Sequence, residues 1–158
     1  MIILKLFIAT SNLNKVKEMK EILANLDIEV ISKEDVGELP AVEEDKSTFA
    51  GNALKKAKVI QQDVGLPTIA DDSGLVVDAL DGKPGVYSAR FAGLEATDQQ
   101  NNDKLLKLLK EVPLEDRTAH FACAIAFVRA TGEEEVVIGN CQGRIALQPQ
   151  GEAGFGYD

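Results

Sequence analysis

Apolar and polar positions alternate in rhythm along the chain, and the rhythm changes several times. Residues 2–9 (IILKLFIA) are apolar except for one lysine, which predicts a buried first strand over Ile2 to Ala9 ending at the turn formers Thr10, Ser11 and Asn12. Val16, Met19, Leu23 and Leu26 then recur at helical spacing among lysines and glutamates, predicting an amphipathic helix capped by Ser11 or Asn12. Glu29 to Ile31 reads as a second strand and residues 32–46 as acidic and irregular. A second helix starts near Ser47 and Thr48, with Phe49, Ala53, Ala57 and Ile60 as its apolar stripe. Thr68 to Ala70 is a short strand ending in Asp71-Asp72-Ser73-Gly74, and Leu75 to Leu80 is apolar apart from Asp78. Asp81 to Gly85 forms a loop. Asp98 to Val112 is a third helix capped by Thr97, and residues 119–129 and 135–147 are two long strands joined by a Thr131-Gly132 turn. The Gly-rich stretch from Gln148 to Asp158 carries no regular pattern. Early strand–helix alternation followed by a late hairpin implies an α/β fold with a mixed sheet, without internal repeats or a low-complexity linker.

Composition narrows this reading. The 158 residues suit one domain, and 45% hydrophobic with 27% charged residues is the balance of an ordinary globular protein. Aromatics are only 5% and Trp is absent, so the core has to rest on Leu, Ile, Val and Ala. A net charge of −9 argues against a nucleic-acid polymer as partner. It does not argue against a small polyanion: remote acids are screened over about 8 Å, whereas a lysine about 4 Å from a phosphate contributes on the order of 4 kcal/mol at an effective dielectric near 20. The two cysteines, Cys123 and Cys141, have no metal spacing and read as two buried, unbridged thiols in a reducing cytoplasm. The apolar start is too short for a signal peptide or a membrane span.

Three segments have the residue types for phosphate chemistry. Thr10, Ser11, Asn12, Leu13, Asn14 and Lys15 stand at a predicted strand-to-helix junction, where open α/β sheets bind ligands and helix N–H groups meet anions. Lys15 in a first helical turn opposes the helix dipole, which an anionic ligand would explain; a capped helix with a solvated lysine is the other reading. Asp71 and Asp72 follow a strand and point to opposite faces, so that one can face a metal or a water while the other ties down the loop. An acidic turn is the alternative. Asn52 and Lys56 are four residues apart on one helical face, preceded by Glu43 and Glu44, although a lysine at the edge of an apolar stripe also snorkels. Arg90 follows a Pro-Gly turn and suits phosphate or an ion pair. Phe155 and Tyr157 sit in a Gly-rich loop and suit base stacking or anchoring. His120, the single histidine, lies in a predicted strand and reads as a packed or edge residue. There is no GxxxxGK loop and no zinc spacing.

Together ATSNLNK (9–15), TFAGNALKKA (48–57), ADDSGLVVDALDGKPGVYSARFAG (70–93) and GFGYD (154–158) resemble the inosine triphosphate pyrophosphatase family, whose members act on noncanonical purine nucleoside triphosphates. The resemblance implies an elongated α/β fold, with a mixed central sheet, flanking helices and two lobes around a substrate groove. It implies Mg²⁺ as cofactor, a cytoplasmic homodimer, and hydrolysis of ITP, dITP or XTP to the monophosphate and pyrophosphate in housecleaning of the nucleotide pool. Thr10 through Lys15 would hold the triphosphate. Glu44 and Asp72 would hold the metal, with Asp72 also orienting or deprotonating the attacking water, and Lys56 would reach the phosphates. Asn52, Ser73 and Arg90 would contact substrate, and Phe155, Gly156, Tyr157 and Asp158 would line the base pocket. Two departures stand out. Gly51 replaces a frequent Glu, and the sequence stops inside the last motif, so the expectation is a single domain over residues 1–158 lacking the family's C-terminal strand and helix. That leaves a nucleotide-binding module without turnover as the alternative. The Maf-like nucleotide pyrophosphatases are less similar: they carry Ser-Pro-Arg-Arg where this chain has Ser11-Asn12-Leu13-Asn14.

Overall fold

Strands β1 (Leu4–Ile8), β2 (Ile28–Ile31), β3 (Thr68–Val77), β4 (Thr118–Val128) and β5 (Glu134–Arg144) form one sheet in the order β2-β1-β3-β4-β5 in the computed structural model, which describes residues 4–158. Helices α1 (Leu13–Leu23), α2 (Lys33–Val36), α3 (Phe49–Val64) and α4 (Asp98–Leu108) connect them. β1 pairs in parallel with both neighbours, Leu6 opposite Val30 and Ile8 opposite Ile69, which makes an α/β fold as the alternation predicts. Ile2 and Ile3, the start of the predicted first strand, lie outside the described residues.

The chain divides into two units. The first takes the described residues up to Asp72 together with Ala124–Ile138, and its core joins Phe7 and Ala9 to Ala53, Ala57, Ile60, Ala70, Ala124, Ala126 and Val128. Small alanines on facing elements let α3 lie close on the strands, which suits a chain so poor in aromatics. The second unit takes Ser73–Cys123 and Gly139–Asp158, with Leu75, Val77, Leu105, Leu109 and Ala119 at its centre. The apolar stripe read for α3 is realised: Ala53, Ala57 and Ile60 are buried and Phe49 packs against them. Thr48 caps this helix by accepting from Gly51 N at 3.0 Å, and Gly65, with φ of 67°, ends it in the left-handed conformation that glycine adopts most easily.

Several expectations change. The strand does not end at Asp71-Asp72-Ser73-Gly74, which is the middle of the ten-residue β3, because both aspartates find partners, Lys15 and Asn52, that hold the backbone extended against its turn propensity. The segment after β2 is not wholly irregular: Ser32 and Asp35 form a capping box that starts the short α2. α1 ends before Leu26, which is 57% exposed. α4 stops at Leu108 rather than Val112, since the buried Arg117 guanidinium takes the carbonyls of Leu109 at 2.7 Å and Val112 at 2.9 Å. Cys141 is exposed rather than buried, as is every residue of the edge strand β5, and no disulfide joins it to Cys123.

Candidate active site

Both faces of β3 carry an acidic side chain where β1 runs out. β1 stops at Ile8, Ala9 N donates to Ile69 O at 2.8 Å, and β3 continues alongside the loop that leads into α1. Asp71 and Asp72 follow directly, 1% and 7% exposed. Strand alternation sends them to different partners, as the sequence implies. Lys15 Nζ donates to Asp71 Oδ2 at 2.5 Å, which explains a lysine in a first helical turn where the dipole disfavours it.

The loop is shaped by its own side chains. Thr10 Oγ1 accepts from Asn12 N at 3.2 Å, and Asn12 is the N-cap, its Oδ1 accepting from Asn14 N at 3.0 Å and Lys15 N at 3.3 Å. Thr10 and Asn12 therefore fix the loop's form, and two of the helix N–H groups are already taken. Ser11, Leu13 and Asn14 face solvent, Leu13 with 63% of its surface exposed although it is a large apolar residue.

Helix α3 supplies the opposite side. Asn52, 1% exposed, donates from Nδ2 to Asp72 Oδ2 at 2.9 Å while its Oδ1 accepts from Lys46 N at 2.8 Å. Each end of this amide has a protein partner, and through Nδ2 it orients the Asp72 carboxylate. One turn on, Lys56 Nζ donates to Asp71 O at 2.7 Å and pairs with Glu44 Oε1 at 2.9 Å. Gly51 allows the 43–47 segment to come this close: a Cβ there would stand 2.9 Å from Lys46 Cβ. A glutamate at this position would force the segment that carries Glu44 to shift.

Burial, first of all, raises the Asp72 carboxyl above the ordinary aspartate value; the Asn52 hydrogen bond opposes this, the Glu44 charge adds to it, and Lys56 and Lys15 oppose it. The first unit thus gathers two cations, Lys15 and Lys56, and three carboxylates, Glu44, Asp71 and Asp72, at the carboxyl end of a sheet strand. Among the described residues no three His, Cys, Asp or Glu side chains form a metal cage. Glu44 and Asp72 fit an ion that takes few protein ligands.

The remaining residues singled out in the sequence belong to the second unit. Ser73 is half-buried in β3. Arg90 ends a short 3-10 segment (Gly85–Arg90) with its guanidinium 5.1 Å from the Tyr87 ring centre. The Phe155–Asp158 segment is pinned down: Tyr157 donates to Ser88 O at 2.6 Å, Gly156 N to Asp98 Oδ2 at 3.0 Å, and Asn102 to Gly156 O at 3.0 Å. It borders a cavity of about 370 Å³ lined also by Asn102, Leu105 and Arg144. Burial, helped by the Asp98 charge, pushes the Tyr157 phenol up to about 12. Three organising residues escape sequence reading. Ser88 caps Leu75 N at 2.9 Å, Asn101 joins Ala92 N to Ala89 O, and Arg117 closes α4. Each is a polar side chain serving backbone groups, which leaves no pattern along the chain.

The profile of the Ham1 family matches residues 6–158. The chain is 52% identical over 154 residues to the dITP/XTP pyrophosphatase of Geobacter sulfurreducens, covering 98% of this chain and 77% of that protein. With the dITP/XTP pyrophosphatase of Desulforamulus reducens it shares 50% identity, again over 98% of this chain and 77% of the relative. Among solved structures, a HAM1 protein from Coxiella burnetii superposes with a TM-score of 0.88 at 40% identity, covering 99% of this chain and 80% of the other. A dITP/XTP pyrophosphatase from Mycobacterium abscessus gives 0.83 at 43% identity, covering 98% and 81%.

Proposed function

The chain belongs to the Ham1 family, and on that footing we propose that it hydrolyses noncanonical purine nucleoside triphosphates to the monophosphate and pyrophosphate. The dITP and XTP of its relatives' names are the first candidate substrates, with ITP beside them. The observation that carries the reading is Asp72: a buried carboxylate aimed by Asn52, between two lysines that reach the same short stretch of β3. Phosphoryl transfer asks for positioning and charge neutralisation more than for a covalent partner. Asp72 orients the attacking water and takes its proton, while Lys15 and Lys56 meet the charge that builds on the leaving pyrophosphate.

Three carboxylates against two cations leave this cluster negative, a poor host for a polyphosphate unless a cation comes with it. That supports Mg²⁺ held by Glu44 and Asp72, since Mg²⁺ takes one or two carboxylates and completes its shell with water and substrate oxygens. When bound, the ion neutralises phosphate charge. Discrimination against adenine would come from buried donors that a 6-oxo group satisfies and a 6-amino group leaves unpaired. The same reading takes the protein as a cytoplasmic homodimer cleaning the nucleotide pool, the dimer being checked by light scattering.

The test is pyrophosphate release from dITP, XTP, ITP, ATP and GTP, with and without Mg²⁺. Release confined to the deaminated purines and dependent on Mg²⁺ supports the reading. Binding without release makes the chain a nucleotide-binding module instead.

A further inference from the structure

Asp71 is used by both lysines. Its Oδ2 holds Lys15 Nζ at 2.5 Å and its carbonyl accepts from Lys56 Nζ at 2.7 Å. The side chain is 2% exposed, yet Oδ1 is buried without a hydrogen-bond partner among the described residues. A carboxylate oxygen enclosed without a donor works against stability. Asp71 carries that cost together with its ion pair to Lys15.

Lys15 shows what the charge is for. Its four-carbon stem has many rotamers, and ordering it at the moment a ligand arrives is costly. Its side chain is 24% exposed, so the ammonium is held on one side and open on another. Of its three donors one goes to Asp71, and among the described residues no second acceptor meets the ammonium, which leaves donors for an incoming oxygen.

The geometry points to Asp71 as a positioning residue that fixes the Lys15 ammonium beside Lys56 for the polyphosphate, acting through the lysine and not by touching substrate. This rests on the pyrophosphatase reading and goes beyond it by giving the first aspartate of the pair a function separate from that of Asp72.

A double-mutant cycle tests it. Asp71→Asn keeps the shape and the carbonyl, so Lys56 retains its acceptor; kcat/KM for dITP should fall about tenfold or more in a protein that still folds. With Lys15→Met already in place, Asp71→Asn should cost less than about threefold, because nothing is left to position. Lys15→Met should itself lower the melting temperature, since it leaves the Asp71 carboxylate buried and unpaired. A wild-type rate in Asp71→Asn overturns the proposal, as does a full repeat of the loss on the Lys15→Met background. An unchanged melting temperature in Lys15→Met also overturns it, and that measurement stands even if Asp71→Asn fails to fold. No pyrophosphate release by the wild-type chain overturns the underlying reading and the proposal with it.

Discussion

Asn52 Nδ2 stands 2.9 Å from Asp72 Oδ2, and the oxygen of the same buried amide takes the backbone N–H of Lys46 at 2.8 Å. One side chain thereby ties the Asp72 carboxylate to the segment that presents Glu44. Asn52→Ala strands a buried acceptor and a backbone donor together, each costing roughly 1–3 kcal/mol. The melting temperature should drop by several degrees, at roughly 2–4 °C per kcal/mol for a chain of this size. Turnover should fall about tenfold or more as Asp72 loses its aim. Calorimetry alongside steady-state rates checks both; intact activity would mean that Asp72 is held by something else.

Asp72→Asn separates chemistry from folding. The amide keeps the volume but cannot take a proton from water, so turnover should fall about a hundredfold or more. Burial disfavours the charged carboxyl, so the neutral replacement should leave the melting temperature unchanged or higher. A near-wild-type rate would remove Asp72 from the mechanism.

Burial raises the Asp72 carboxyl above its ordinary 3.8, with the Glu44 charge contributing in the same direction. As the base, Asp72 must be ionised, so kcat/KM should decline on the acid side at a pH above that of a free aspartate. Glu44→Gln takes away one raising influence and should move that limb toward lower pH, in addition to any effect on metal affinity. The sign for stability is opposite to that of a salt-bridged acid. The folded state favours the neutral carboxyl, so this group's contribution is greatest below 3.8 and is lost as pH rises through the raised folded value. A pH–rate profile of the two proteins distinguishes the cases: coincident acid limbs would show that Glu44 does not act on Asp72.

How much of this was legible in the sequence depends on what each residue answers to. The α3 stripe and the caps Asn12, Thr48 and Thr97 follow local rules of spacing and hydrogen bonding, and they stand where the pattern puts them. Asp71 and Asp72 are visible as chemistry, but the pattern ends the strand at them where β3 runs on to Val77. Their local propensity points one way, and partners 56 and 20 residues distant in sequence, Lys15 and Asn52, pull the backbone the other. Asn52 itself is legible as important, but its bonds to Asp72 and to Lys46 N are not, because spacing shows which face of a helix a residue occupies and not which groups its amide meets. Arg117 could not be foreseen at all, since it bonds only to carbonyls, and carbonyls are the same at every position.

Tyr157 offers a test in the second unit. Its hydroxyl donates to Ser88 O at 2.6 Å and its ring packs against the Leu75, Val77 and Leu105 cluster, so the side chain anchors the Gly-rich segment. Burial, then the Asp98 charge, pushes the phenol up to about 12 from 10.0. Unfolding releases that hold, so the unfolded chain loses the proton near pH 10 while the folded one keeps it. Stability from this group is complete below 10 and is lost as pH climbs toward 12. Tyr157→Phe should cost roughly 0.5–1.5 kcal/mol at neutral pH for the hydrogen bond. It should also flatten the alkaline decline, which urea midpoints measured from neutrality to high pH will show. Because the hydroxyl is already committed to Ser88, the same variant should bind dITP within about twofold of wild type. A large loss of affinity would instead mean that the phenol leaves Ser88 to meet the base, and that the anchor and the pocket are one device.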